Sequence, residues 1–104
     1  MLQLIDQKQY HYHQATIDTY KSTERNAHVF VFYSYSTPQI IIINDDLKGS
    51  GVYQVNKKFS PTTTRQVNRF INENNFKSIL QKVSAEKFIE LCDHLGIMKG
   101  RLTW

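Results

Sequence analysis

The stretch Gln39-Ile40-Ile41-Ile42-Ile43-Asn44 contains four consecutive isoleucines. β-Branched side chains favour strands, and an unbroken apolar run indicates burial on both faces, or on one face with a partner surface on the other. His28–Tyr33, rich in β-branched and aromatic residues, precedes it, with a break predicted at Ser36-Thr37-Pro38 because proline cannot donate to a sheet. Val52–Asn56 alternates in polarity beyond a loop that contains glycine. We therefore expect residues 28–56 to form an antiparallel meander.

The chain after this meander has the signals of a helix start. Ser60 is a residue type that caps helix N-termini, and Pro61 suits the first helical position, where no N–H is needed. Val67, Phe70 and Ile71 then recur at helical spacing. A helix from Pro61 with these three side chains in the core is therefore predicted.

A second helix is predicted from Ser84, another capping residue, to Gly96, a residue type common just beyond helix ends. Residues 76–83 slightly favour helix, and residues 97–104 form a short basic tail. Residues 1–27 are ambiguous and are expected to give a strand followed by a loop. The whole chain, residues 1–104, is interpreted as one domain, in which residues 60–96 are the helical part.

These elements together predict an α+β fold. Its sheet would be small and antiparallel, with three to four strands, and two or three helices would pack on one face of it.

The charge of the chain is uneven. The net charge is +4, but residues 1–52 have a balance of −1 and residues 53–104 a balance of +5. A basic half indicates attraction to phosphate or to an acidic protein, although a plain solvated basic surface has the same composition.

Several features predict a cytoplasmic protein that does not enter a membrane. The longest apolar run is far shorter than the roughly 18 residues that a membrane-spanning helix needs, and Met1–Asp6 does not resemble a signal peptide. The single cysteine, Cys92, excludes an internal disulfide and is typical of a reducing compartment.

The first helix is predicted to carry a nucleic-acid-binding face opposite its apolar stripe. Arginine donates to phosphate or guanine, asparagine and glutamine can pair with adenine, and the start of the helix is expected to offer free N–H groups to an anion. A solvated helix face is the simpler interpretation of the same pattern. The residues expected to contact nucleic acid are Lys57, Lys58, Arg65, Gln66, Asn68, Arg69 and Asn72.

Three tyrosines near strand ends, Tyr33, Tyr35 and Tyr53, are candidate anchors of a protein interface. The same side chains could stack on bases or serve only as strand residues.

The usual catalytic and metal-binding patterns are absent from the sequence. His11 and His13 share one face of a strand, but two ligands are too few for zinc. Cys92 and His94 are two residues apart on a helix and so point in different directions, which favours a buried structural thiol. Neither a Gly-rich phosphate loop nor a catalytic triad pattern is present. We therefore expect no cofactor, no metal and no enzymatic activity.

Two segments, Ser34-Tyr35-Ser36-Thr37 and Phe59–Gln66, resemble a group of short, uncharacterised proteins encoded by phages and mobile elements of Gram-positive bacteria. The pattern of that group is Ser-Tyr-x-Thr, a hydrophobic strand, a turn, a strand, and then Ser-x-Thr-Thr-x-(Arg/Lys)-His. The resemblance covers about residues 26–72, and Gln66 stands where the pattern has histidine. It implies an accessory protein that acts in the bacterial host cytoplasm.

The expected function is nucleic-acid binding through the basic helix. One alternative is a protein that binds and inhibits a host or defence protein, and another is a minor virion or assembly component. The oligomeric state is left open.

Overall fold

The computed structural model describes residues 1–97, apart from the side chains of Tyr12 and His13. The predicted tail therefore lies outside the described residues, except for Ile97. The elements in chain order are β1 (Leu2–Tyr10), β2 (Tyr12–Ser22), β3 (Ala27–Ser34), β4 (Thr37–Asp45), β5 (Gly49–Val55), α1 (Pro61–Glu73), β6 (Leu80–Val83) and α2 (Ala85–Leu95).

The six strands form one mixed sheet in the order β1-β2-β3-β4-β5-β6. Strands β1 to β5 pair antiparallel as a meander, and β6 lies parallel to β5. Since parallel neighbours need a crossover connection, α1 provides the link between β5 and β6. The predicted small antiparallel sheet of three to four strands is wrong.

The two helices lie on opposite faces of the sheet. Ile40 packs in a core with Val67 of α1, whereas Ile41 packs in a second core with Phe88 of α2. Successive side chains of a strand point to opposite faces, so a run of isoleucines needs cover on both. The expectation that all helices pack on one face is therefore wrong, and burial on both faces explains the isoleucine run.

The ambiguous segment 1–27 is a long hairpin rather than one strand and a loop. Strands β1 and β2 contain nine and eleven residues, and His11 makes the turn between them with a φ of 60°. The side chains from Gln3 to Gln9 are all exposed, and Asp6 to Gln9 are all polar, so most of β1 lacks the apolar alternation by which a strand is recognised.

Strand β6 interrupts the predicted helical part. Leu80 packs against the α1 core and Val83 against the α2 core, which is the alternation of a strand, not of a helix. Phe76, which was part of the expected helical pattern, instead packs beside Phe70 of α1 at a ring-centroid distance of 5.9 Å.

Both predicted helix starts are confirmed. The Ser60 hydroxyl accepts the Thr63 N–H at 3.2 Å, and the Ser84 hydroxyl accepts the Lys87 N–H at 3.2 Å. Gly96 ends α2 with a φ of 68°. The buried stripe of α1 includes Val67, Phe70 and Ile71, as predicted.

Candidate nucleic-acid interface

The layers of the molecule differ in charge. The segment from Lys57 to Lys82, which contains α1, has six lysines and arginines against one glutamate, so its net charge of +5 exceeds the +4 of the whole chain. Helix α2, in contrast, has one lysine against three acids, a net charge of −2. Because α1 and α2 cover opposite faces of the sheet, the charge is polarised across it.

The outer face of α1 is exposed as the helical spacing predicts. Arg65, Arg69 and Asn72 are exposed on neighbouring turns, with Asn68 beside them. Lys57 and Lys58 are exposed in the loop that leads from β5 into the helix.

Gln66 does not belong to this surface. Its side chain is 3 % exposed and lies beneath the helix, where its Oε1 accepts the Ser34 hydroxyl at 2.6 Å. Contact between Gln66 and nucleic acid is therefore excluded in this conformation, and the remaining six residues form the candidate interface.

A directional chain of three hydroxyls, of which those of Ser34 and Thr63 are buried, holds α1 to the end of β3. Ser34 has one hydroxyl hydrogen, which it donates to Gln66, so the hydrogen bond of 3.0 Å with Thr63 must be donated by Thr63. The Thr63 oxygen in turn accepts from the Ser60 hydroxyl at 3.3 Å. The helix cap and the strand end are thus joined by one network, which fixes the rotation of α1 about its own axis.

Glu73 ties the far end of α1 to the β1–β2 turn. Its carboxylate accepts from Arg69 Nε at 3.1 Å, contacts His11 Nε2 at 2.9 Å and accepts from the Tyr10 hydroxyl. The hydrogen bond from Tyr10, with those from Arg69 and His11, lowers the pKa of Glu73 to about 2. Burial and the hydrogen bond to Glu73 raise the pKa of Tyr10 to about 12. The positive charge of Arg69 is therefore partly neutralised by the Glu73 carboxylate.

The start of α1 is less open to an anion than the sequence suggested. The Thr63 N–H is capped by Ser60, the Thr64 N–H is bonded to the Ser60 carbonyl at 3.0 Å, and Pro61 has no N–H. Anion binding on this side of the molecule would therefore depend on basic side chains.

A polar cleft of about 310 Å³ opens beside α1 at the ends of β5 and β6. Gln54 lines it, and the Gln54 Oε1 is buried without a hydrogen-bond partner among the described residues. A buried acceptor of this kind costs about 1–3 kcal/mol when no donor satisfies it. The residues that line the cleft, which we call the α1 cleft, are Gln39, Gln54, Val55, Asn56, Lys57, Lys58, Phe59, Thr63, Thr64, Val67, Asn68 and Lys82.

The three candidate tyrosine anchors do not share one surface. Tyr33 is fully buried in the α2 core, which excludes it as an exposed anchor in this conformation. Tyr35 is 51 % exposed at the β3–β4 turn, where it and Ser36 have φ values of 52° and 67°. Tyr53 is half-buried and lines a separate cleft on the α2 side. The turn shares only Ser36 with the predicted break at Ser36-Thr37-Pro38, because Thr37 and the buried Pro38 are already residues of β4.

Cys92 is a buried thiol, as predicted, with no exposed surface. Burial raises its pKa to about 12. Among the side chains that the structure describes, which do not include that of His13, no three from histidine, cysteine, aspartate or glutamate come together as a metal site requires. In the same part of the chain, no helix has the length and apolar character to cross a bilayer.

The model of a family of unknown function, DUF8033, matches residues 3–88. The match spans all six strands except Leu2, the first residue of β1, includes the whole of α1 and ends within α2. No curated protein and no solved structure matches the chain.

Proposed function

The chain belongs to this family of unknown function, and we propose that it binds nucleic acid through the exposed face of α1 and the loop before it. One observation carries the proposal: a net charge of +5 between Lys57 and Lys82, on a chain whose total is +4. Contacts to phosphates supply most of the affinity of proteins for nucleic acid.

Arg65 is the centre of the proposed surface. It is exposed in the middle of α1 and has no ion-pair partner within residues 1–97. Its guanidinium can donate two parallel hydrogen bonds to one phosphate. Arg69, one turn further, is partly neutralised by Glu73 at 3.1 Å, so we expect Arg65 to contribute more to binding.

The amides of Asn68 and Asn72 accompany these charges and could contact base edges, whereas Lys57 and Lys58 would hold phosphates at the start of the helix. The acidic α2 side would repel a phosphate backbone. The protein would consequently bind with one face only, in a defined orientation.

The proposal includes the setting that the phage resemblance implies, an accessory protein in the cytoplasm of a bacterial host. A small binding protein without a catalytic centre suits that setting. Inhibition of a host or defence protein is the alternative.

Fluorescence anisotropy with labelled single-stranded and duplex oligonucleotides tests the proposal. The affinity should fall steeply with salt, and the double substitution Arg65→Ala plus Arg69→Ala should remove most of it. The matched control is Lys48→Ala plus Lys87→Ala, which removes the same charge from exposed positions outside the proposed surface.

An unchanged affinity in the arginine double variant, or an equal loss in the lysine control, would contradict the proposal. A pull-down from host lysate, with and without nuclease, distinguishes nucleic-acid binding from the alternative, inhibition of a host or defence protein. A host protein retained after nuclease treatment, together with no oligonucleotide binding, would support inhibition instead.

A further inference from the structure

We propose that the α1 cleft accepts a single nucleotide, with its base against Gln54 and its phosphate on the surrounding lysines. The inference rests on the proposed function, because the cleft opens beside the same basic surface and would take one unstacked nucleotide of a single strand. It adds a site for the base to a surface that otherwise recognises phosphate.

The cleft has the size and the lining for one small ligand. Its volume of about 310 Å³ lies at the lower end of the range for ligand pockets. Phe59 and Val67 provide apolar contact area, and Lys58 and Lys82 provide positive charge. Nucleotides combine a flat, partly apolar base with an anionic phosphate, so both kinds of lining would be used.

The side chain of Gln54 has a hydrogen-bond acceptor for which the described residues supply no donor. Val52 on the same strand packs in the α1 core, so Gln54, two residues later, also points towards α1. Its Oε1 is buried without a partner among the described residues. Because that oxygen has almost no accessible surface, the Gln54 side chain must rotate for its amide to meet a base, whose edge carries both N–H donors and acceptors.

Gln39 adds a second amide to the same wall. It is 1 % exposed, and its Nε2 donates to the Thr37 carbonyl at 3.5 Å, the upper limit for a hydrogen bond. Buried polar side chains are ordinarily well paired, so two weakly satisfied amides in one cleft point to a polar ligand.

The parallel pairing of β5 with β6 brings charge next to the amide. Gln54 and Lys82 are register partners, about 4.8 Å apart at their backbones. The cleft lies at the carboxyl ends of these strands, beside the helix that connects them, which is where open α/β sheets bind their ligands.

A nucleotide matches the amides, the aromatic ring and the lysines of the α1 cleft better than a simple anion does. Inorganic phosphate would neutralise the lysines, but it has no flat apolar group to lie against Phe59 and Val67, and only its O–H groups can donate. The carboxylate of an acidic peptide side chain only accepts hydrogen bonds, so it would leave the acceptor on Gln54 without a donor. The combination of amide, aromatic ring and ammonium therefore favours a base attached to a phosphate.

The test is titration of the ¹⁵N-labelled protein with each nucleoside monophosphate and, separately, with inorganic phosphate, followed by NMR. Nucleotides should shift the Gln54 side-chain amide and the Phe59 backbone, and phosphate should not shift Gln54. The substitution Gln54→Met, which preserves size and removes the polar group, should weaken nucleotide binding about tenfold. Its unfolding curve shows whether the variant is folded, and we expect its stability to be unchanged or higher because an unpaired acceptor is removed.

Absence of any shift at Gln54 with every nucleotide would overturn the inference, as would equal binding of phosphate and nucleotides. Neither outcome bears on the arginine double variant, which tests the outer surface. If that variant retains full oligonucleotide affinity while nucleotides still shift Gln54, the proposed surface is wrong and the cleft stands. Loss of oligonucleotide affinity in the arginine variant, with nucleotide binding retained, would support both the proposed surface on α1 and the nucleotide site in the cleft.

Discussion

The Ser34 hydroxyl donates to Gln66 Oε1 at 2.6 Å, and both residues are buried. This bond joins the end of β3 to the inner side of α1, across 32 positions of sequence. It also joins the two segments that carry the resemblance to phage proteins. Those segments therefore meet at a structural contact, and the position expected to read nucleic acid instead holds the helix on the sheet.

Ser34→Ala should lower the free energy of unfolding by about 1–3 kcal/mol, because it leaves the buried oxygen of Gln66 without its donor. Urea denaturation measures the loss. Ser78→Ala, at an exposed position in the turn after α1, is the control and should change stability by less than about 0.5 kcal/mol. Equal effects of the two substitutions would contradict the assigned role of Ser34.

The acceptor side of this bond is tested by replacing Gln66 in two ways. Gln66→His retains a ring nitrogen that can accept from Ser34, whereas Gln66→Leu cannot accept. We expect the histidine variant to be the more stable of the two in the same denaturation assay. The reverse order would show that packing, and not hydrogen bonding, decides this position.

Glu73→Gln should reduce stability most at neutral pH. The hydrogen bond from Tyr10, with those from Arg69 and His11, holds the pKa of Glu73 at about 2, below the ordinary 4.5. A carboxylate with a lowered pKa stabilises the fold above the ordinary value, and this contribution is lost as the pH falls from 4.5 towards 2. The stability difference between wild type and variant should therefore shrink across that interval. Denaturant unfolding at several pH values measures it, and a constant difference would contradict the assignment.

The same substitution should strengthen nucleic-acid binding. Glu73→Gln removes a negative charge from α1 and releases Arg69 from its contact at 3.1 Å. Anisotropy at low salt should show a higher affinity and a steeper salt dependence. Glu90→Gln makes the same charge change on α2, on the opposite side of the sheet, and should have a smaller effect. Equal gains in both variants would indicate that only the net charge matters.

Cys92 should resist alkylation while the protein is folded. The thiol has no exposed surface, and burial raises its pKa to about 12, so the reactive thiolate is scarce at pH 8. Labelling should become rapid only when urea unfolds the chain. Fast labelling of the native protein at pH 8 would contradict the burial of this side chain.

The outer face of α1 could be predicted, and the α1 cleft could not. The exposure of Arg65 follows from helical spacing alone, since Val67 and Phe70 define the buried side. Gln54 and Lys82, in contrast, are far apart in the chain and become neighbours only when β6 pairs with β5. Their sequence surroundings contain no motif that indicates a common site.

The sequence by itself determined the starts of both helices and the central strands. Ser60 and Ser84 cap the helices through bonds that reach three residues along the chain, so the sequence pattern contains the whole interaction. The isoleucine run also indicated a strand covered on both faces as one of two alternatives. Only the tertiary structure decided between cover by the protein's own helices on both faces and cover of one face by a partner. It also placed α2 on the sheet face opposite α1, added β1 and β6 to the sheet, and buried Gln66. These features depend on contacts between distant segments, whose free energy comes from packing and pairing and not from local backbone preference.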